Sequence, residues 1–228
     1  VAREVGTDGK LGGQAQVRGV SGTSNPEWGE DPDDGAAMNV VDSRTGVTTM
    51  PVPPGKYRVI VDRGFEYSVF DKTVDVTANQ TTYVTAEIER AIETPGWVSA
   101  DLHLHSEPSF DAPQSLDERV VSLVVAGVEV GVATDHNRVT DYRPVIERLG
   151  LQRYVASVIG DEVTTEEMGF GHFNIFPLEP ASEPIVYRRT SPAAIFDAAR
   201  ARAPYFKDNV IQVNHPRMGD IGYFDVLR

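Results

Sequence analysis

Five histidines are spread over the 228 residues, and each stands in a short polar motif. His103 and His105 sit in "DLHLHS", His136 in "TDHN", His172 in "GHFN" and His215 in "NHPR". Acidic side chains accompany them: Asp101 and Asp111 around the first motif, Asp135 beside the second, and Glu162 in "GDEVTT". Imidazole combined with carboxylate suits Zn, Mn or Fe, and the ligand types alone do not choose between them. His103 and His105 cannot close a metal site by themselves. A carboxylate able to bridge, such as Glu162, lets two ions share a hydroxide, which makes a nucleophile at neutral pH and clamps the attacked group. A nucleophilic side chain is then unnecessary; the chain has no cysteine, and no Gly-x-Ser-x-Gly elbow is present.

Such side chains must be carried by elements that converge. Alternation in "DLHLHS" predicts a strand with Asp101, His103 and His105 on one face and Leu102 and Leu104 on the other. After Trp97, strands alternate with helices. "WVSADLHLHS", "VGVATDHN", "YVASVIGDEVTT", "GHFNIFPL" and "NVIQVNHPR" read as strands. "SLDERVVSLVVAGVEVG" reads as a helix with a Ser115/Glu118 capping box, and "DYRPVIERLG" as one closed by a left-handed Gly150. "SPAAIFDAARARA" reads as a helix with Ser191 as cap and Pro192 at its first position. This alternation predicts an α/β layer or barrel with mainly parallel pairing. In parallel α/β architectures the C-terminal strand ends form one rim, where sites are built.

Residues 1–92 follow a different pattern. "YRVIVD", "KTVDVTA" and "TTYVTAEIE" are short β-branched runs separated by turn signals, which predicts a small antiparallel β-sandwich. Residues 93–97 form a linker punctuated by Pro95 and Gly96, and 98–228 form the second domain. The formal net charge of −13 argues against a nucleic-acid partner, which would need clustered Lys and Arg. The longest apolar run, "VVSLVVAGVEVGVA", is too short to span a bilayer. The start at Val1 reads as a processed or trimmed chain. The acidic run "EWGEDPDDG" lacks EF-hand spacing and reads as a solvated loop.

Taken in order, "DLHLHS" with Asp111 after it, "TDHN", "GDEVTT", "GHFN" and "NHPR" resemble the polymerase and histidinol phosphatase (PHP) family of metal-dependent hydrolases. The resemblance covers residues 97–228 and is closer to the carbaryl-hydrolase-like branch, in which a small β domain can precede the catalytic one. The β half resembles a carboxypeptidase-regulatory-like sandwich through "PPGKYRVIV". The resemblance implies a distorted (β/α)7 barrel with two or three divalent metal ions at its C-terminal rim. His103 and His105 would hold the first ion, with Glu162 bridging to the second. His172 and His215 would complete the second site, and Asp111 and His136 would hold a third. Asp101 and Asp135 would orient imidazoles, as ligating histidines require. One departure stands out: the family's late Asp-x-His pair does not follow His215. Five or six strands are readable where seven are expected. The barrel is therefore expected to be incomplete, with a C-terminal segment or a second chain supplying the missing pair.

The function so implied is hydrolysis of a small-molecule phosphoester, or of a carboxylic or carbamate ester, with Glu162 and Arg217 as the catalytic residues. Arg217 and Arg138, each following a histidine motif, could bind an anionic substrate through bidentate contacts. Asn137 and Asn174 could hydrogen-bond substrate or ligand. An alternative of another class is a catalytically silent, metal-stapled module whose β-sandwich binds carbohydrate or protein. A polymerase-proofreading role is disfavoured by the acidic charge. By family analogy only, the attached sandwich favours an extracytoplasmic location, periplasmic or secreted.

Overall fold

A computed structural model describes residues 2–4, 12–24, 39–165, 169–204 and 208–227; the acidic run at 27–35 lies outside them. The chain divides into two compact units, Val1–Trp97 with Val121–Val128, and Val98–Val120 with Glu129–Arg228.

The first unit contains β1 (Ala2–Glu4), β2 (Gln14–Gly19), β3 (Val40–Asp42), β4 (Gly55–Asp62), β5 (Phe70–Val76) and β6 (Val84–Ala86). An antiparallel sheet in the order β3-β2-β4-β5 accounts for four of them, while β1 pairs with β6 in parallel. Alternation is clear in β4, where Tyr57, Val59 and Val61 are buried and Arg58 is exposed. Val59 and Val61 pack with Ala15, Val84 and Ala86. On the solvent side Arg58 pairs with Asp71 of the neighbouring strand. The expected antiparallel grammar is met in the larger sheet; the parallel β1–β6 pair departs from it.

The second unit contains β7 (Ala100–Leu104), β8 (Val130–Ala133), β9 (Ala156–Ile159), β10 (Asp161–Thr164), β11 (His172–Phe176) and β12 (Val210–Val213). Its helices are α1 (Leu116–Val125, which runs into the first unit), α2 (Arg143–Leu149), α3 (Pro192–Ala201) and the short α4 (Tyr223–Val226). Three helix boundaries follow their capping residues, whereas α1 stops at Val125, short of the Gly131 end expected from "SLDERVVSLVVAGVEVG". Ser115 Oγ accepts from the Glu118 amide while Glu118 accepts from the Ser115 amide, closing the box before α1. Gly150 ends α2 at φ 69°, and Ser191 Oγ accepts from the Ala194 amide at the start of α3. No described helix is long and apolar enough to cross a membrane.

Two corrections to the expected architecture concern pairing. Strands β7, β8 and β9 are parallel, but β10, β11 and β12 form a separate antiparallel sheet. The six strands thus form two three-stranded sheets, and the described residues contain no closed barrel. The physical reason is connection length: only residues 165–171 join β10 to β11, and a parallel crossover needs about a dozen residues or more.

The second correction is that "YVASVIGDEVTT" is two strands meeting at Gly160. A Cβ there would lie 2.9 Å from the Ala133 carbonyl oxygen, 3.1 Å from that of Ile175 and 3.3 Å from Phe176 Cβ. Gly160→Ala is therefore expected to destabilise the protein by about 1–3 kcal/mol through overpacking. The check is a lower urea midpoint at unchanged slope; a parent-like midpoint would show that this approach can relax freely.

The antiparallel sheet sorts side chains by its period of two. Glu162 pairs with Asn174, which pairs with Gln212, and Thr164 pairs with His172. The alternate residues Val163, Phe173, Ile175, Ile211 and Val213 face a core with Ile159, Leu178, Ile185, Ile195 and Ala199. One face is buried and apolar apart from Asp161, which accepts from the Ile185 amide; the other carries Glu162, Thr164, His172 and Asn174.

Candidate metal centre

All five histidines gather around Glu162, whose side chain is fully buried. Its Oε2 lies 3.0 Å from His103 Nε2, 2.8 Å from His105 Nε2 and 3.3 Å from His136 Nδ1. Its Oε1 lies 3.1 Å from His172 Nδ1 and 3.6 Å from His215 Nε2, and accepts from Asn214 Nδ2 at 2.9 Å. Asp111 adds a second carboxylate, 3.0 Å from His105 Nδ1 and 3.3 Å from His136 Nε2.

Local structure explains the convergence. The β7–β8 ladder pairs Asp101 with Gly131 and then Leu104 with Ala133, so β7 carries one extra residue just where His103 emerges. Such a bulge re-aims side chains, as at many functional sites. Strict alternation therefore does not hold through "DLHLHS": Leu104 is buried, but Leu102 is 42% exposed. His136 lies just beyond β8 and bridges to Glu162 in parallel register. Glu162 in β10 and His172 in β11 share the polar face of the antiparallel sheet, and His215 follows β12 with φ 27°.

The remaining sequence candidates have different partners. Asp135, fully buried, accepts from Ser106 Oγ, which also accepts from the Tyr142 hydroxyl. Asp101 accepts from the His103 amide. Both carboxylates brace the β7 exit through these bonds. Asn137 clamps Thr164 at both backbone groups, and Thr164 Oγ1 meets His136 Nδ1. Asn174 donates to the Leu102 carbonyl at 2.9 Å. Arg138 is exposed and donates to the Asn137 carbonyl. Arg217, with its side chain 74% exposed, lies 3.6 Å from Asp225.

Sequence reasoning missed four contributors. Ser109 donates to Asp111 and accepts from the His136 amide. Phe110, 80% exposed, stacks on the His136 ring at 4.6 Å. Thr164 and Asn214 contact the cluster as described. Only Asn214, adjacent to a histidine at a strand end, offered any sequence signal.

The electrostatics follow from burial opposed by pairing. Burial would push the Glu162 carboxyl up, but hydrogen bonds from His103, His105, His172 and Asn214 hold it far below the usual carboxylate range. Burial opposes charge on His105, yet its bonds to Glu162 and Asp111 push its pKa up to about 9. Burial first, then neighbouring histidines, lower His215; His136 is also lowered, mainly by burial.

These shifts predict a pH window for the metal-free protein. His105 rises from 6.5 to about 9, so its contribution is fully present below pH 6.5 and is lost as pH rises through 9. Glu162 falls below the ordinary glutamate value of 4.5, so its contribution is present above that pH and is lost as the medium becomes more acidic. Urea unfolding in chelator should show falling stability between pH 6.5 and 9; a flat profile there would contradict the His105 pairing.

Three groups of donor atoms, each within 4.8 Å, could hold a metal ion: His103/His105/Glu162, His105/Asp111/His136 and His136/Glu162/His172. Any two of them share one residue. The nitrogen-to-Glu162 separations of 2.8 to 3.6 Å bracket the ~3.3 Å edge of a tetrahedron with bonds of about 2.0–2.1 Å. His215 Nδ1 is buried without a hydrogen-bond partner. The donor set fits a divalent ion, whose binding would displace the proton on His105. Comparison with protein-family models, curated proteins and solved structures returned no match to this chain.

Proposed function

We propose that the protein is a metal-dependent hydrolase of small-molecule phosphoesters or of carboxylic or carbamate esters. The observation that carries this reading is the meeting of all five histidines on one buried carboxylate, Glu162. Divalent metals are commonly held by such a set of imidazoles and carboxylate. A bound ion supplies Lewis acidity, polarising the attacked group and activating water at neutral pH.

The chain's own residues perform the rest. His103 and His105 present ring nitrogens to Glu162 Oε2, and His172 and His215 to Oε1, so Glu162 would be the carboxylate shared between bound ions. Asp111 and His136 form an adjoining donor set with His105. Asp111 is 42% exposed, and a substrate would approach this set from its side. Phe110 covers one face of His136 and limits water there.

Metal content and hydrolysis test the reading together. Purified protein should contain Zn, Mn or Fe. Cleavage of bis(p-nitrophenyl) phosphate or p-nitrophenyl acetate should stop on chelation and return with added Zn2+ or Mn2+. Undiminished cleavage by metal-free protein would overturn it.

A further inference from the structure

A chain of buried amides runs beneath the histidine cluster and links its two sheets. Asn174, 0% exposed, donates from Nδ2 to the Leu102 carbonyl of β7 at 2.9 Å. Its Oδ1 accepts from Asn214 Nδ2 at 2.7 Å. Asn214, 2% exposed, also donates to Glu162 Oε1 at 2.9 Å. Gln212 Nε2 donates to Asn214 Oδ1 at 3.1 Å. Both amide hydrogens of Asn214 are therefore engaged, and its orientation is settled: turned over, its oxygen would face a carboxylate oxygen.

Position gives this chain its meaning. Leu102 lies in the slipped stretch of β7, directly before His103, and β7 belongs to the parallel sheet. Glu162, Asn174 and Gln212 belong to the antiparallel sheet. The cluster forms only if imidazoles carried by one sheet reach a carboxylate carried by the other. The Leu102–Asn174–Asn214–Glu162 chain spans that distance with buried hydrogen bonds, which are costly to leave unmade. It also occupies one side of Oε1, leaving Oε2 to His103, His105 and His136.

We infer that Asn174 and Asn214 are positioning residues that fix Glu162 relative to His103 and His105. This rests on the reading of the cluster as a metal centre. The residues touch no reacting atom; they act through the carboxylate that they hold.

Asn214→Asp is the sharpest test. It keeps the shape but replaces two donors by an oxygen facing Glu162 Oε1 and Asn174 Oδ1. Asn174→Ser, which removes both the tether to Leu102 and the acceptor for Asn214, provides a second variant should the first fail to fold. Two quantities are measured on the full chain: Zn2+ affinity by competition with a chelating dye, and the ring 15N resonances of His103 and His105 in metal-free protein. Both variants should bind Zn2+ about 10–100-fold more weakly, the usual effect of losing a partner that orients a metal ligand. Their His103 and His105 resonances should shift with the metal absent. A variant that melts earlier yet keeps parental affinity and parental ring resonances would overturn the inference. If the parent itself takes up no Zn2+, the metal reading fails, while the metal-free ring resonances still decide the positioning.

Discussion

Glu162→Gln should abolish metal uptake and reduce hydrolysis by more than the roughly 10–100-fold typical of losing an outer hydrogen-bond partner. The carboxylate is fully buried and faces five imidazoles and the Asn214 amide. Glutamine has nearly the same shape but lacks the charge, and half of its head group becomes a donor. An amide nitrogen at the Oε1 position would face the Asn214 amide donor, and one at the Oε2 position would force the surrounding imidazoles to accept where they now donate. The bridging function is lost along with the anion. A second effect is measurable without metal: the His105 titration, held up to about 9, should move down because one of its two carboxylate partners is gone. Elemental analysis, steady-state hydrolysis and a histidine-resolved NMR titration check these outcomes. Parental metal content in the variant would show that Glu162 is dispensable to the centre.

Phe173→Ala should be the most destabilising single change, by about 3–5 kcal/mol, as for large-to-small substitutions in well-packed cores. Phe173 is fully buried between His172 and Asn174 in sequence, yet faces the opposite side of β11. Its ring meets Phe196 edge-on at 5.3 Å and Tyr223 at 5.2 Å. Truncation leaves a cavity between strand and helix that neither ring can fill. The loss is a large share of the 5–15 kcal/mol that stabilises a typical domain. Denaturant unfolding measures it directly; a loss below 1 kcal/mol would mean that the core collapses around the gap. The contrast with Asn214→Asp is informative. One change acts through the apolar face of the antiparallel sheet, the other through its polar face.

Much of the local structure is legible in the residues. Ser115 with Glu118, Gly150, and Ser191 with Pro192 mark helix ends because capping chemistry acts over three or four residues and needs no tertiary context. The candidate ligands are also legible, since histidine and carboxylate at strand ends are chemically distinctive. Pairing was harder to read. "YVASVIGDEVTT" is continuous in β propensity, and its division depends on how closely Gly160 approaches the Ala133 and Ile175 carbonyls. Those carbonyls lie far away in sequence. Asparagines after strands read as turn chemistry or substrate contacts; in the folded chain Asn137 clamps Thr164 and Asn174 tethers Leu102.

By itself, then, the sequence determined which side chains are available for chemistry, where α1 and α3 begin and where α2 ends. These are set by residue type and near neighbours. The tertiary structure decided that five scattered histidines share one carboxylate, and that a parallel and an antiparallel sheet together supply them. It also decided that Arg217 lies near Asp225. Those outcomes depend on sheet register, on the β7 bulge and on long-range hydrogen bonds, which form only when distant segments meet in the folded chain.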